Sequence, residues 1–344
     1  MELSYHPYLL EYKHRFGVSS NTRTHTQSVF TKIAWDGFEG FGEACLPPYL
    51  GETLEATLEF FEKAKPILAK ETYPCSIIEI INTLDDLSEQ CNAAKAAVDI
   101  ALHDLKGKIE NKSVAQLYRL QKPENTITSC TIGIDAEDKL KQKIEEAAEF
   151  SILKIKAGTA DDKALINLIR KYTDKKLYVD VNQGWTDKHF AIDMIAWFKE
   201  QGVILIEQPL PITQIDDMAW VTENSVLPTI ADESVKRLID IQKIKGVFSG
   251  VNIKLMKCTG IKEAFEMIEQ CKQFDLKIFL GCMAESSCGT SAMAQLISCA
   301  DYIDLDAPHL LKNDPFSGLN YENGKVVLND AVGIGVLPNK DFKF

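Results

Sequence analysis

Four pairs of polar side chains stand two residues apart at the ends of apolar runs: Lys154 with Lys156, Asp180 with Asn182, Asn252 with Lys254, and Asp304 with Asp306. On an extended strand, residues two apart share a face. An unpaired buried charge is expensive, so such pairs make sense if they face one another across a common site. A solvated position past a strand end would explain any one of them, but not four at corresponding places. Three acids, Asp180, Glu207 and Asp232, each follow an apolar run. Neighbouring strands lie about 5 Å apart, so carboxylates on three consecutive strands can converge on one hard cation. Oxygen ligands without His or Cys suit Mg²⁺ or Mn²⁺. Glu233 adjoins Asp232 and must diverge from it on an extended chain, which leaves one of the two as the expected ligand. Lysines flank this triad, Lys154 and Lys156 before it and Lys254 after it. A dry site with neighbouring cations lowers a lysine from its ordinary pKa near 10.4 toward neutrality, where it acts as a general base. With a base on each face of one carbon, a proton can leave one side and return on the other. A divalent cation stabilises the doubly negative enediolate formed when that carbon adjoins a carboxylate.

Such a site needs elements that repeat. From about Ile127 onward, apolar runs recur as ITSCTIGI, ILKIKAG, KLYVDVN, VILIEQP, PTIADES, GVNIKLM, KIFLGC and DYIDLDAP, with helix-like stretches between them. Their ends at Lys154, Asp180, Glu207, Asp232, Lys254, Cys282 and Asp304 are separated, by subtraction, by 26, 27, 25, 22, 28 and 22 residues. That is the period of a strand, loop, helix, loop unit. Runs rich in Ile, Val and Leu without clean alternation read as parallel strands covered on both faces. A closed (β/α) barrel is expected rather than an open doubly wound sheet. No glycine-rich phosphate loop follows the first strand, and polar residues end nearly every strand instead of clustering at one crevice.

The amino-terminal third differs. Thr26 to Trp35 reads as a strand, Asp36-Gly37 as a turn, and Gly40 to Glu43 as the return of a hairpin. Glu52 to Lys70 and Ala93 to Lys108 carry helical periodicity, the second with a glycine stop near its end. The division expected is an α+β module over 1–122, a barrel over 123–318, and a segment over 319–344 that returns to the first module. The chain has 344 residues, 45% of them hydrophobic, and a formal charge of -12. Nucleic acid and anionic lipid are disfavoured as partners by that charge. No run approaches the roughly 20 apolar residues of a membrane span, and no signal peptide is evident at the start, so a cytoplasmic protein is expected. Nine cysteines without a C-x-x-C pair argue against a disulfide framework or a zinc knuckle. A homo-oligomer is compatible with all of this.

K-I-K at Lys154 to Lys156, D-V-N at Asp180 to Asn182, I-E-Q-P at Ile206 to Pro209, A-D-E-S at Ala231 to Ser234 and N-I-K at Asn252 to Lys254 resemble the muconate-lactonizing subgroup of the enolase superfamily. The resemblance extends over nearly the whole chain, including the G-F-G-E of an amino-terminal capping domain. It implies a (β/α)7β barrel, Mg²⁺ held by Asp180, Glu207 and Asp232, acid/base roles for Lys156 and Lys254, and a substrate carboxylate steadied by Lys154. Cys282 and Met283, at the end of the seventh strand, fall among the residues expected to contact substrate.

Within that subgroup, Asp304-Leu305-Asp306 resembles the D-x-D with which dipeptide epimerases hold the free ammonium group of a dipeptide. The resemblance therefore implies inversion at the α-carbon of a dipeptide's second residue. An N-succinylamino acid racemase or o-succinylbenzoate synthase on the same site is the alternative. Muconate cycloisomerases and o-succinylbenzoate synthases take anionic substrates without an amine, which two aspartates would repel. A non-catalytic barrel is disfavoured by the intact acids and lysines. In Ala-Glu epimerases a basic residue of the capping loop, here about Phe16 to Thr26, reads the substrate's acidic side chain. Asn21 stands near that position and Arg23 two residues on, so a small or apolar second side chain is expected.

Overall fold

The computed structural model describes residues 1–18, 21–71, 77–329 and 331–344. The chain begins with an antiparallel sheet of β1 (Glu2–Val18), β2 (Asn21–Trp35) and β3 (Phe38–Leu46). Asp36 and Gly37, both at positive φ, turn β2 into β3, as Asp-Gly does in tight hairpins. Three helices follow, α1 (Leu54–Leu68), α2 (Ile77–Asp85) and α3 (Asn92–Glu110). The alanines of α3 let it lie flush on β3, and the glycines of G-F-G-E complete the fit. A Cβ at Gly42 would come within 1.9 Å of the Ala97 carbonyl oxygen, and one at Gly40 within 2.1 Å of that of Ala101.

Two expectations change here. The glycine stop is not a stop: α3 runs through Gly107 to Glu110 and ends at Asn111, which adopts a left-handed conformation. Gly107 is small because the chain returns there, and a Cβ would stand 2.6 Å from the Gly333 Cα. The loop expected over Phe16 to Thr26 is mostly strand. Phe16 pairs with Arg23 and Gly17 with Thr22, after an irregularity in β1 between Glu11 and Phe16.

Eight parallel strands form the second sheet: β4 (Ser129–Ile132), β5 (Ile152–Lys156), β6 (Lys176–Asp180), β7 (Val203–Glu207), β8 (Thr229–Ala231), β9 (Gly250–Ile253), β10 (Lys277–Gly281) and β11 (Tyr302–Asp304). They pair in sequence order, each with the next, and helices separate them. Ser129 Oγ reaches the Ile303 carbonyl, and the Leu305 N–H donates to Thr128 Oγ1, so first and last strands meet and the barrel closes. Inside, Tyr178, Leu205, Ile230 and Phe279 pack as a buried layer. Tyr178, Leu205 and Ile230 each stand two residues before an acid of the triad, so the layer is an apolar floor beneath it.

The carboxyl-terminal tail packs on the first sheet. Phe342 makes edge contacts with Tyr8 and Phe30, and Phe344 lies against Phe41. No helix among the described residues is long and apolar enough to cross a membrane.

Candidate active site

The barrel register sets the site. Lys156 on β5, Asp180 on β6 and Glu207 on β7 are cross-strand neighbours in one row. Asp232 follows the end of β8 and Lys254 the end of β9. All five are buried. Ligand oxygens of Asp180, Glu207 and Asp232 lie within 4.8 Å of one another. Lys154 pairs with Tyr178 one layer lower. Its ammonium rises from beside the Phe279 ring to lie 2.7 Å from Glu207 Oε2, 2.8 Å from Asp304 Oδ2 and 3.5 Å from Asp180 Oδ2.

The lysines bracket the acids. Lys156 Nζ donates to Asp180 Oδ2 at 2.6 Å, and Lys254 Nζ to Asp232 Oδ2 at 2.7 Å. Burial alone would raise both aspartates. Lys156 and Lys154 instead hold Asp180 below its usual range, and Lys254, Lys257 and Lys154 hold Asp232 well below it. Glu207 goes the other way, because burial and the nearby Asp180 push it up to about 7. The expected lowering of the lysines is not met at Lys154, which, against the pull of burial, Asp304, Glu207 and Asp180 raise well above its ordinary value, nor at Lys254. Burial pulls it down, but Asp232 and other negative groups outweigh that and raise it well above its ordinary value. Its nearest charge is a carboxylate and not a cation.

The donor set fits a hard divalent cation. Glu207 accepts from Asn252 Nδ2 through Oε1 at 2.7 Å, while its buried Oε2 meets the Lys154 ammonium at 2.7 Å. Asn182 Oδ1, Glu233 Oε2 and Asn252 Oδ1 are buried acceptors without a hydrogen-bond partner. Buried acceptors are normally satisfied, and oxygen-only coordination is what Mg²⁺ takes.

Asp304 ends β11 and Asp306 stands at the N-cap of the short helix Ala307–Leu310, so only the first lies on the strand. Both are buried. Asp304 accepts from Ser129 Oγ at 2.6 Å and from Lys154 at 2.8 Å. Asp306 accepts the Thr131 N–H at 2.5 Å and is pushed up to about 7 by burial and by Asp304. Cys282 Sγ reaches the Asp304 carbonyl oxygen at 3.2 Å, and Met283 Sδ meets the Tyr49 hydroxyl from the first module. Arg23 sits near the hairpin tip, opposite Phe16, with Nη1 buried and unpartnered. The side chain of Asn21 lies outside the described residues.

Three residues here escaped the sequence reading. Lys257, three positions after Lys254, donates to Asp232 Oδ1 at 2.6 Å. Glu285 is buried with Oε2 unpartnered, and burial and Glu43 push it well above the usual carboxylate range. Glu43, the acid of G-F-G-E, accepts from Ser28 Oγ, the Ser286 N–H and Oγ, and the Gly289 N–H, which ties β3 to the start of the helix Ser287–Ala294. None lies on a strand of the barrel. Only the E-S-S at Glu285, ahead of a run of small residues, hints at a buried turn.

Residues 9–118 match the family described as mandelate racemase / muconate lactonizing enzyme, N-terminal domain, and residues 136–342 match the enolase C-terminal domain-like family. An L-Ala-D/L-Glu epimerase of Bacteroides thetaiotaomicron is 46% identical over 98% of this chain and 88% of its own. A dipeptide epimerase of Enterococcus faecalis, solved with Mg and L-Leu-L-Tyr, superposes with a TM-score of 0.91 at 31% identity, over 97% of this chain and 98% of that one. An N-succinyl Arg/Lys racemase of Bacillus cereus superposes with the same TM-score, 0.91, at 28% identity over 99% and 96% of the two chains. Shape alone therefore does not choose between these chemistries.

Proposed function

From the premise that this chain belongs to the mandelate racemase / muconate lactonizing enzyme family with an enolase-like C-terminal domain, we propose that it is a Mg²⁺-dependent dipeptide epimerase. The observation that carries the reading is the placement of Lys156 and Lys254 on opposite flanks of a buried acid triad.

In this reading Asp180, Glu207 and Asp232 hold the cation. When bound, it supplies positive charge against the second negative charge of the enediolate. The chain's own groups do the rest. Lys154, its ammonium set among Glu207, Asp304 and Asp180, steadies the substrate carboxylate through its charge from the barrel floor. Lys156 takes the α-proton of the second residue on one face, and Lys254 returns one on the other. For the opposite stereoisomer the roles exchange. Asp304 and Asp306 accept the dipeptide's ammonium group, flanked by Cys282 and Met283. Burial excludes water, which strengthens each of these charge interactions. The eight described cysteines are unpaired, which supports a reducing, cytoplasmic setting.

The test against the N-succinylamino acid alternative is the substrate's amine. Free dipeptides should be turned over at least tenfold faster than their N-acetyl forms, measured as kcat/KM. Equal rates would favour the alternative.

For the second residue, one observation favours an acidic side chain over an apolar one. A buried guanidinium N–H without an acceptor costs stability until something supplies one, and Arg23 Nη1 is in that position. A substrate carboxylate would satisfy it. L-Ala-L-Glu should then outperform L-Ala-L-Leu, and Arg23→Met should reverse the order. If the wild type prefers L-Ala-L-Leu, the apolar reading stands.

A further inference from the structure

Lys257 is 4% exposed, and its ammonium meets three acceptors: Asp232 Oδ1 at 2.6 Å, the Asp232 carbonyl at 2.7 Å and the Asn252 carbonyl at 2.9 Å. An ammonium group has three N–H donors, so none is left for a substrate. The residue is spent on the protein itself. Its acceptors come from two neighbouring strand ends, Asn252 on β9 and Asp232 just past β8. Its own backbone lies in the turn that begins at Lys254, whose carbonyl accepts the Lys257 N–H at 2.9 Å. On the far side, the Lys257 carbonyl accepts from Asn92 Nδ2 at the start of α3. One side chain thus joins an acid of the triad, the turn that presents Lys254, and through its backbone the first module.

We infer that Lys257 is a positioning residue: it pins Asp232 Oδ1, so that Oδ2 is the oxygen turned toward Lys254 and the cation. Asp232 has two oxygens and two lysine partners, Lys257 on Oδ1 and Lys254 on Oδ2. Lys254 must part from its oxygen to work on a substrate, whereas Lys257 need not move. Without the second lysine the carboxylate could rotate, and two backbone carbonyls would lose a buried donor.

The inference rests on the reading that the triad holds a divalent cation, and it predicts the opposite of what charge alone would do. Removing a positive charge beside the triad should, by Coulomb's law alone, tighten cation binding. Removing a positioning residue should weaken it. The experiment measures Mn²⁺ dissociation constants by electron paramagnetic resonance for the whole protein, as wild type and as Lys257→Met, with Asp232→Asn as reference. The expected result is Mn²⁺ binding by the wild type and a loss of tenfold or more in Lys257→Met. Equal or tighter binding in Lys257→Met overturns the inference, including when its unfolding temperature falls. Absence of Mn²⁺ binding in the wild type overturns the triad reading and the inference with it. If Lys257→Met does not fold, Lys257→Arg is measured instead. It keeps the charge but presents a planar fork that cannot meet the same three acceptors. Weaker Mn²⁺ binding is expected there as well, and unchanged binding overturns the inference.

Discussion

Lys154 Nζ lies 2.7 Å from Glu207 Oε2, a fully buried ion pair at the centre of the acid triad. Glu207, its Oε1 held by Asn252 Nδ2 at 2.7 Å, is thereby fixed beside the other two acids. Replacing it should be felt by a cation first. Glu207→Gln should weaken Mn²⁺ binding by about tenfold to a hundredfold, the scale of one charge-assisted contact, as measured by titration calorimetry. Unchanged affinity would remove Glu207 from the ligand set.

Lys156 and Lys254 each serve one stereoisomer as base and the other as acid, so Lys156→Ala and Lys254→Ala should each lose epimerisation by at least about a thousandfold, within the usual range for acid/base groups. Half of the chemistry should survive. Lys254→Ala should still exchange the α-proton of one epimer with solvent through Lys156, seen by NMR in deuterated buffer. Near wild-type epimerisation in both variants would refute the two-lysine mechanism.

Asp304 binds Lys154 as well as Ser129, so its replacement disturbs two partners besides any substrate amine. Asp304→Asn should lower kcat/KM for a free dipeptide by about tenfold to a hundredfold. The preference for free over N-acetylated substrate should shrink with it. A uniform loss on both substrates would assign Asp304 to Lys154 and not to the amine.

Glu43 is fully buried and receives donors from two hydroxyls and two backbone N–H groups between the first sheet and the barrel. Glu43→Ala leaves those donors unsatisfied, which costs about 2 to 4 kcal/mol. The urea midpoint should fall accordingly, and a variant as stable as wild type would show that water replaces the carboxylate.

What was legible in the sequence follows from what strands do. The strand period and the row Lys156, Asp180, Glu207 were readable because extended chain fixes the facing of every second residue, and the barrel preserves that order. Gly107 was misread because a glycine stop and a glycine at a close approach look alike, and Gly333 is far away in sequence. Lys257 was missed because it leaves a turn, where spacing carries no facing. Lys254's ionisation was misjudged because it depends on its nearest partner, Asp232 Oδ2, which register alone does not identify.

The most direct test of metal-dependent proton transfer is incubation of L-Ala-L-Glu and L-Ala-L-Leu with the Mg²⁺-loaded protein in deuterated buffer, followed by mass spectrometry and chiral analysis. One deuterium should appear at the α-carbon of the second residue together with inversion there. Both should vanish on chelation and return with Mg²⁺. Inversion without deuterium, deuterium without inversion for every dipeptide tried, or full activity in protein shown by elemental analysis to be metal-free would contradict the account.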